Sequence, residues 1–245
     1  NPPGVVHVCR AANLEKTDYL GVARYSSSIE AEIAIGEEQY NEDSFLYTAA
    51  WNITALLKLR GHSLISCPVN STSSWDTIAA VDNNSVNFRL LDDVSRKIAI
   101  IPRKTIVSEN DLIWIDKNLV TTMDLQNATH SQRFSLAYNI AYHWNHTTDV
   151  RIAITNVWVG IEALFGIQND KPVTKKLAER IHLWLPTVTK TDDIISLYNH
   201  RCDAVHGRKI SDQESRNILE SGLFLLQSSL IKCIEKHETT LPDWS

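Results

Sequence analysis

From Ser108 onward the chain is one helix signal after another, and this succession limits the fold more than any other feature of its 245 residues. Ser108-Glu109-Asn110-Asp111 makes a cap ahead of a helix from Leu112 to about Leu125. Arg133 to Trp144 repeats apolar residues at Phe134, Ala137, Tyr138 and Ala141, the spacing of one helix face. Asp149 caps Val150 to Phe165, which closes at Gly166, and Thr174 to Leu185 ends at Pro186. Thr191-Asp192 opens Ile194 to Val205, which closes at Gly207. Ser211-Asp212-Gln213-Glu214 reads as a capping box that starts a last helix running to about Lys236. Amphipathic helices joined by short connections bury their apolar faces against one another, so a helical bundle is expected. The spacing predicts at least four consecutive helices between 130 and 238, no strand between Val150 and Lys232, and the Thr191–Val205 helix at the centre.

Residues 1–105 lack that regularity. The opening reads as strand and loop, with Val5-Val6 followed later by Tyr25 and three serines. From Ile29 to about Arg60 the pattern turns helical: Ala49, Ile53, Leu56, Leu57 and Leu59 recur at 3- and 4-residue spacing, and Gly61 stands where a C-terminal cap would. The acidic stretch Gly36 to Asp43 is expected to interrupt it. Ser63 to Val69 reads as a short strand ended by a polar loop from Asn70 to Ser74, Ser74-Trp75-Asp76 as the start of a short helix, and Val86 to Leu91 as a strand. The fold class is therefore mainly α, with a small α+β module over residues 1–105 ahead of a helical domain over 106–245.

Hydrophobic content of 43% and charged content of 22% are ordinary for a globular chain, and its apolar runs are far too short to cross a bilayer, so no membrane partner is expected. Four cysteines, Cys9, Cys67, Cys202 and Cys233, are widely spaced with no C-x-x-C pair, which argues against zinc and points to a reducing, cytoplasmic compartment. His143 and His146 invite a metal reading but have no Cys or carboxylate beside them, so no metal and no other cofactor is expected. Sequons at Asn52, Asn70, Asn83, Asn127 and Asn145 read as compositional, Asn52 falling within an expected helix. Net charge is −5, yet from Lys171 onward eleven Lys and Arg face ten Asp and Glu, leaving the rest at −6. An anionic ligand is steered towards the C-terminal part.

The segment with chemical content runs from Leu197 to Gly207: Leu-Tyr-Asn-His-Arg-Cys-Asp-Ala-Val-His-Gly. It places Arg201 and His206 five residues apart at a helix C-terminus. Any Arg and His so spaced would match, and end-of-helix stabilisation by cations is the ordinary use of such residues. The context adds information. Upstream stand Val157-Trp158-Val159-Gly160-Ile161-Glu162-Ala163-Leu164-Phe165-Gly166 and then Lys176-Leu177-Ala178-Glu179-Arg180. This ordered set, over residues 130–238, resembles the Apea-like branch of the HEPN superfamily, whose members share a Trp…Glu-Ala-Leu-Phe helix, a Leu-Ala-x-Arg helix and a Tyr-x-x-Arg…Val-His-Gly helix.

The resemblance implies a four- or five-helix bundle that dimerises and brings the Arg and His of both copies to one cleft. Active members are metal-independent ribonucleases, many of them in antiviral defence or toxin–antitoxin systems. RNA and a second copy of the chain are the expected partners, and Arg201 and His206 the expected catalytic pair. Cys202 follows the Arg, at a position commonly polar in catalytic members. An RNA 2′-OH attacking its own phosphate needs an acid–base group near neutrality and a cation over the phosphorane, roles suited to His and Arg. Around an ideal helix Arg201 and His206 are about 140° apart, so a second protomer would help bring them to one phosphate. Asn199, His200, Arg208 and Lys209 are candidate substrate contacts, with Arg208 and Lys209 foremost for phosphate because they directly follow His206. Tyr198 is expected mainly in the core. Glu162, set among apolar neighbours, is expected to be a buried partner for an Arg or else a site carboxylate. Trp144, Trp158 and Trp184 read as core.

Overall fold

A computed structural model describes residues 7–9, 32–34, 43–62, 65, 69–71, 88–90, 98, 103–104, 106–128, 131–166 and 172–238. Seven α-helices lie among them: α1 (Asp43–Leu59), α2 (Glu109–Asn127), α3 (Gln132–His143), α4 (Val150–Leu164), α5 (Val173–Trp184), α6 (Thr191–Val205) and α7 (Asp212–Lys236). A 3-10 turn, Trp144–His146, links α3 to α4. Two short antiparallel ladders complete the described elements, β1 (His7–Cys9) with β2 (Glu32–Ala34), and β3 (Val69–Ser71) with β4 (Phe88–Leu90). The protein is mainly α, and five consecutive helices occupy residues 132–236 with no strand among the described residues there.

Local chemistry explains where the helices start. Ser108 and Ser211 each form a full capping box, with Asp111 and Glu214 reaching back to the cap N–H, and the Asp149 carboxylate accepts from the Arg151 N–H at 2.8 Å. α6 begins at Thr191 as its spacing predicts, but without a side-chain cap. Arg180 on α5 donates to the Phe165 carbonyl (2.9 Å) and the Gly166 carbonyl (3.3 Å), occupying acceptors that the end of α4 leaves open.

α4 and α7 form the middle of the bundle. α4 packs against α3, α6 and α7, and α7 also meets α1, α2, α3 and α6. Both helices carry a glycine at the crossing. A Cβ on Gly160 would stand 3.3 Å from Ile140 and Leu226, and one on Gly222 would stand 3.2 Å from the Trp158 Nε1. The expectation that α6 is central is therefore corrected: only Ile194, Tyr198 and Ala204 of α6 are buried, and it lies on the flank of α4 and α7.

The N-terminal segment also differs from its reading. Glu32–Ala34, inside the stretch expected to be helical, is strand β2, and Asn70 and Ser71, expected in a loop, belong to β3. The expected helix at Ser74-Trp75-Asp76 lies outside the described residues, as does the acidic stretch before Asp43. α1 shares one core with α2, α3 and α7, although it falls in the part read as a separate module. Residues 52–59 are buried on every side, polar ones included. Asn52 donates to the Thr48 carbonyl (2.9 Å) and accepts from Gln126 (2.6 Å) and the Tyr138 hydroxyl (3.0 Å), and Lys58 lies 3.6 Å from the centre of the Tyr142 ring. Partners of this kind make the burial of polar groups tolerable. Asn52 and Asn145 are both buried, which removes two of the five sequons as glycan acceptors.

One buried carboxylate joins α1 to α2. Asp111 takes ion pairs from Arg60 (3.1 Å) and Lys104 (2.6 Å) and a hydrogen bond with the His62 ring (3.2 Å), besides its capping contacts with Ser108. Burial by itself would push this carboxyl up. Hydrogen bonds from Lys104, Ser108 and His62 outweigh it and hold the group well below the usual carboxylate range. A folded-state pKa depressed in this way adds stability that is complete above about pH 4, the unfolded value, and is lost as pH falls below it. Asp111→Ala removes the buried carboxylate that Arg60, Lys104, His62 and Ser108 share, and is expected to cost about 3 kcal/mol. Urea melts at pH 7 and pH 3 check this: the gap between wild type and variant should be large at pH 7 and should shrink in acid.

Candidate functional site

The end of α6 is built against α4. Tyr198 is buried and meets Trp158 of α4 edge to face, ring centres 5.2 Å apart. Trp158 is fully buried and held from behind by the backbone of Gly222. Packing from α7 and α4 thus fixes one ring on α6.

That ring supports two charged groups. The Tyr198 hydroxyl donates to the Glu162 Oε1 at 3.1 Å, and the Arg201 Nη2 pairs with the same oxygen at 3.3 Å. The Arg201 guanidinium also lies 5.2 Å from the centre of the Tyr198 ring, within cation–π range. Its side chain is 14% exposed and that of Glu162 27%, so the pair sits at a boundary between core and solvent. The Arg201 Nε is buried with no hydrogen-bond partner among the described residues, and its Nη1 reaches only the Cys202 sulfur at 3.9 Å. Of the two sequence readings of Glu162, partner of an Arg is the one the geometry displays.

His206 is different in kind. It is the C-cap residue of α6, its backbone N–H donates to the Cys202 carbonyl, and its ring is exposed to solvent. Gly207 follows at φ +79°, a left-handed conformation that lets the chain leave the helix. No hydrogen bond or ion pair joins Arg201 to His206 among the described residues. One chain therefore offers a braced guanidinium facing α4 and a free-standing imidazole at the helix end.

The other sequence candidates divide. Asn199 and Lys209 are exposed. His200 is exposed and helps line a shallow groove between α6 and α7 with Asp193, Leu197, Glu220 and Phe224. Arg208 is exposed but ion-paired to Asp203 at 2.7 Å, so its charge is already engaged. Arg151, which no motif singled out, donates from its Nη2 to the Arg208 carbonyl at 3.3 Å. Nothing in its local sequence signals this, because the contact spans two helices. Among the described residues no group of three His, Cys, Asp or Glu side chains is placed to hold a metal, and His143 and His146 meet edge to face at 4.8 Å.

No family model, curated protein or solved structure matches the chain. Function must therefore be argued from the residues themselves.

The brace has a signature in alkali. Burial, then the Glu162 charge, raise the Tyr198 hydroxyl from its ordinary 10 to about 12. A raised folded-state pKa means stability present below about pH 10 and lost as pH rises towards 12. Tyr198→Phe keeps the ring and removes the hydroxyl. It should cost about 1 kcal/mol at pH 8 and flatten the fall in stability above pH 10, measured by denaturant melts across that range.

Proposed function

We propose that the helices from about residue 106 onward form a HEPN-type domain that cleaves RNA without a metal, acting as a homodimer. The observation that carries this reading is the composition of one helix end. α6 presents a guanidinium restrained by Glu162 and Tyr198, and beyond it an exposed imidazole, in the ordered motif context of residues 157–207.

In the proposed reaction the RNA 2′-oxygen attacks the adjacent phosphorus, the bond to the 5′-oxygen breaks, and a 2′,3′-cyclic phosphate remains. One imidazole accepts the 2′-OH proton and another donates a proton to the departing 5′-oxygen. A single chain has one such His at this site, and a second copy supplies the other. Arg201 stabilises the charge on the phosphorane. Val159, exposed about one turn of α4 before Glu162, and Ile152, exposed about two turns further back on the same face, supply apolar surface for the second copy. Defence or toxin-like RNA cleavage is the biological role in keeping with this chemistry.

A second reading is favoured by a specific observation. Glu162 already neutralises Arg201, and Cys202 replaces the polar residue common in catalytic members. A domain of this kind would bind RNA or nucleotide, or only dimerise, within a larger assembly.

Incubation of the purified chain with labelled RNA separates the two. Cleavage should survive EDTA and leave 2′,3′-cyclic or 3′-phosphate ends, and His206→Ala should slow it by about 10²–10⁴-fold. Magnesium-dependent cleavage leaving 5′-phosphates would overturn the mechanism, and no cleavage at all would favour the second reading. Arg201→Lys should fail nearly as badly as Arg201→Ala, because Lys keeps the charge but loses the planar fork. Melting of the same two variants separates catalysis from structure: loss of cleavage with little change in Tm marks catalysis, whereas a large drop in Tm marks the Glu162 pair as chiefly structural. Light scattering at micromolar concentration should show a dimer that Val159→Asp disperses; a wild-type chain that is only monomeric, with or without RNA, would sink the dimer.

A further inference from the structure

α4 delivers a cation to the His206 turn that the α6 motif does not contain. Arg151 stands in the first turn of α4, half-buried, and its Nη2 bonds the Arg208 carbonyl two residues beyond His206. The guanidinium therefore rests against the turn that carries the imidazole. The charges around this turn differ in how they are engaged. The Arg208 side chain pairs with Asp203, and the Arg208 backbone N–H bonds the Asp203 carbonyl as well. The Asp149 Oδ1 is occupied by the Arg151 backbone N–H. Among the described residues the Arg151 side chain has no carboxylate partner, and neither does that of the exposed Lys209.

We propose that Arg151, not Arg208, is the principal RNA-backbone contact of this site, binding the phosphodiester next to the one cleaved at His206. The identity of the ligand rests on the ribonuclease reading; the placement of the cation does not. One hydrogen bond to a backbone carbonyl, together with partial burial, holds the side chain in place while leaving other N–H groups of the fork for phosphate oxygens. A guanidinium positioned in this way loses less freedom on binding than a solvated lysine. Contacts to phosphate fix position and carry no sequence information, so Arg151 should contribute equally to every RNA sequence.

The test uses the full chain and a single-stranded RNA oligonucleotide fully 2′-O-methylated, which cannot be cut through the 2′-OH. Fluorescence anisotropy measures affinity across a range of salt. Each phosphate contact on a single strand contributes about 0.7 to the slope of log K against log salt. Arg151→Gln keeps an amide donor for the Arg208 carbonyl and loses the charge. It should bind all sequences more weakly, with a slope shallower by about 0.7. Arg151→Lys should keep the slope. An unchanged slope in Arg151→Gln, with wild type binding normally, overturns the assignment and leaves the ribonuclease reading standing. The same unchanged slope with a lowered melting temperature makes Arg151 a tether for the turn only, which also overturns it. Binding that depends on Arg151, in a chain that never cleaves unmodified RNA, upholds the contact and overturns the nuclease. Wild type that fails to bind at any salt overturns both.

Discussion

The crossing of α4 and α7 is the contact on which the rest of the bundle depends. Gly222 lets the backbone of α7 come up to Trp158, whose Nε1 would stand 3.2 Å from any Cβ there, and Gly160 does the same for Leu226 and Ile140. Because α7 takes no side-chain volume at that point, there is room for the Trp158 ring beside its backbone. That ring meets Tyr198 at right angles. Interiors are close-packed, so a shift at this crossing is transmitted rather than absorbed. The position of the Tyr198 hydroxyl, and through it of Glu162 and Arg201, is in this sense set by a glycine on a different helix.

A second constraint is electrostatic. The chain as a whole carries −5, yet its buried carboxylate, Asp111, gathers Arg60, His62 and Lys104 around itself and fastens α1 to α2. The end of α6 shows the opposite arrangement. Two carboxylates there already face cations: Asp203 pairs with Arg208, and Glu162 of α4 with Arg201. Among the described residues Arg151 and Lys209 have no carboxylate partner there, beside an exposed imidazole. A low net charge is thus compatible with a local preference for an anion, since exposed charges act over about a Debye length and not over the whole molecule.

Much of this was legible in the chain and some was not, for reasons that differ by residue. Helix starts at Ser108, Asp149 and Ser211 could be read because a capping side chain bonds a backbone N–H two or three residues away. Trp144, Trp158 and Trp184 are core, as their apolar context indicates. The role of α1 was hidden: Asn52 and Lys58 look like residues of a solvated face, and only Gln126, Tyr138 and Tyr142 on other helices make their burial affordable. Arg201, His206, Glu162 and Tyr198 could be singled out from their spacing and order, but not that Arg201 and Tyr198 meet on Glu162 while His206 stands apart from them. Arg208 reads as a candidate phosphate contact because its pairing with Asp203, five residues earlier, depends on the turn at Gly207.

The sequence by itself determined the mainly helical class, the limits of most helices, and the set of polar residues gathered on and around α6. Those follow from interactions a few residues long, caps and periodic apolar faces, which local chemistry specifies. Tertiary structure alone decided that α4 and α7 are central and α6 is not, that α1 belongs to the same core, and that the Arg151 guanidinium rests on the turn after His206 while that of Arg208 pairs with Asp203. Each of these depends on which helix face meets which. That choice is made by the summed packing of distant side chains and leaves no mark in any short stretch of sequence.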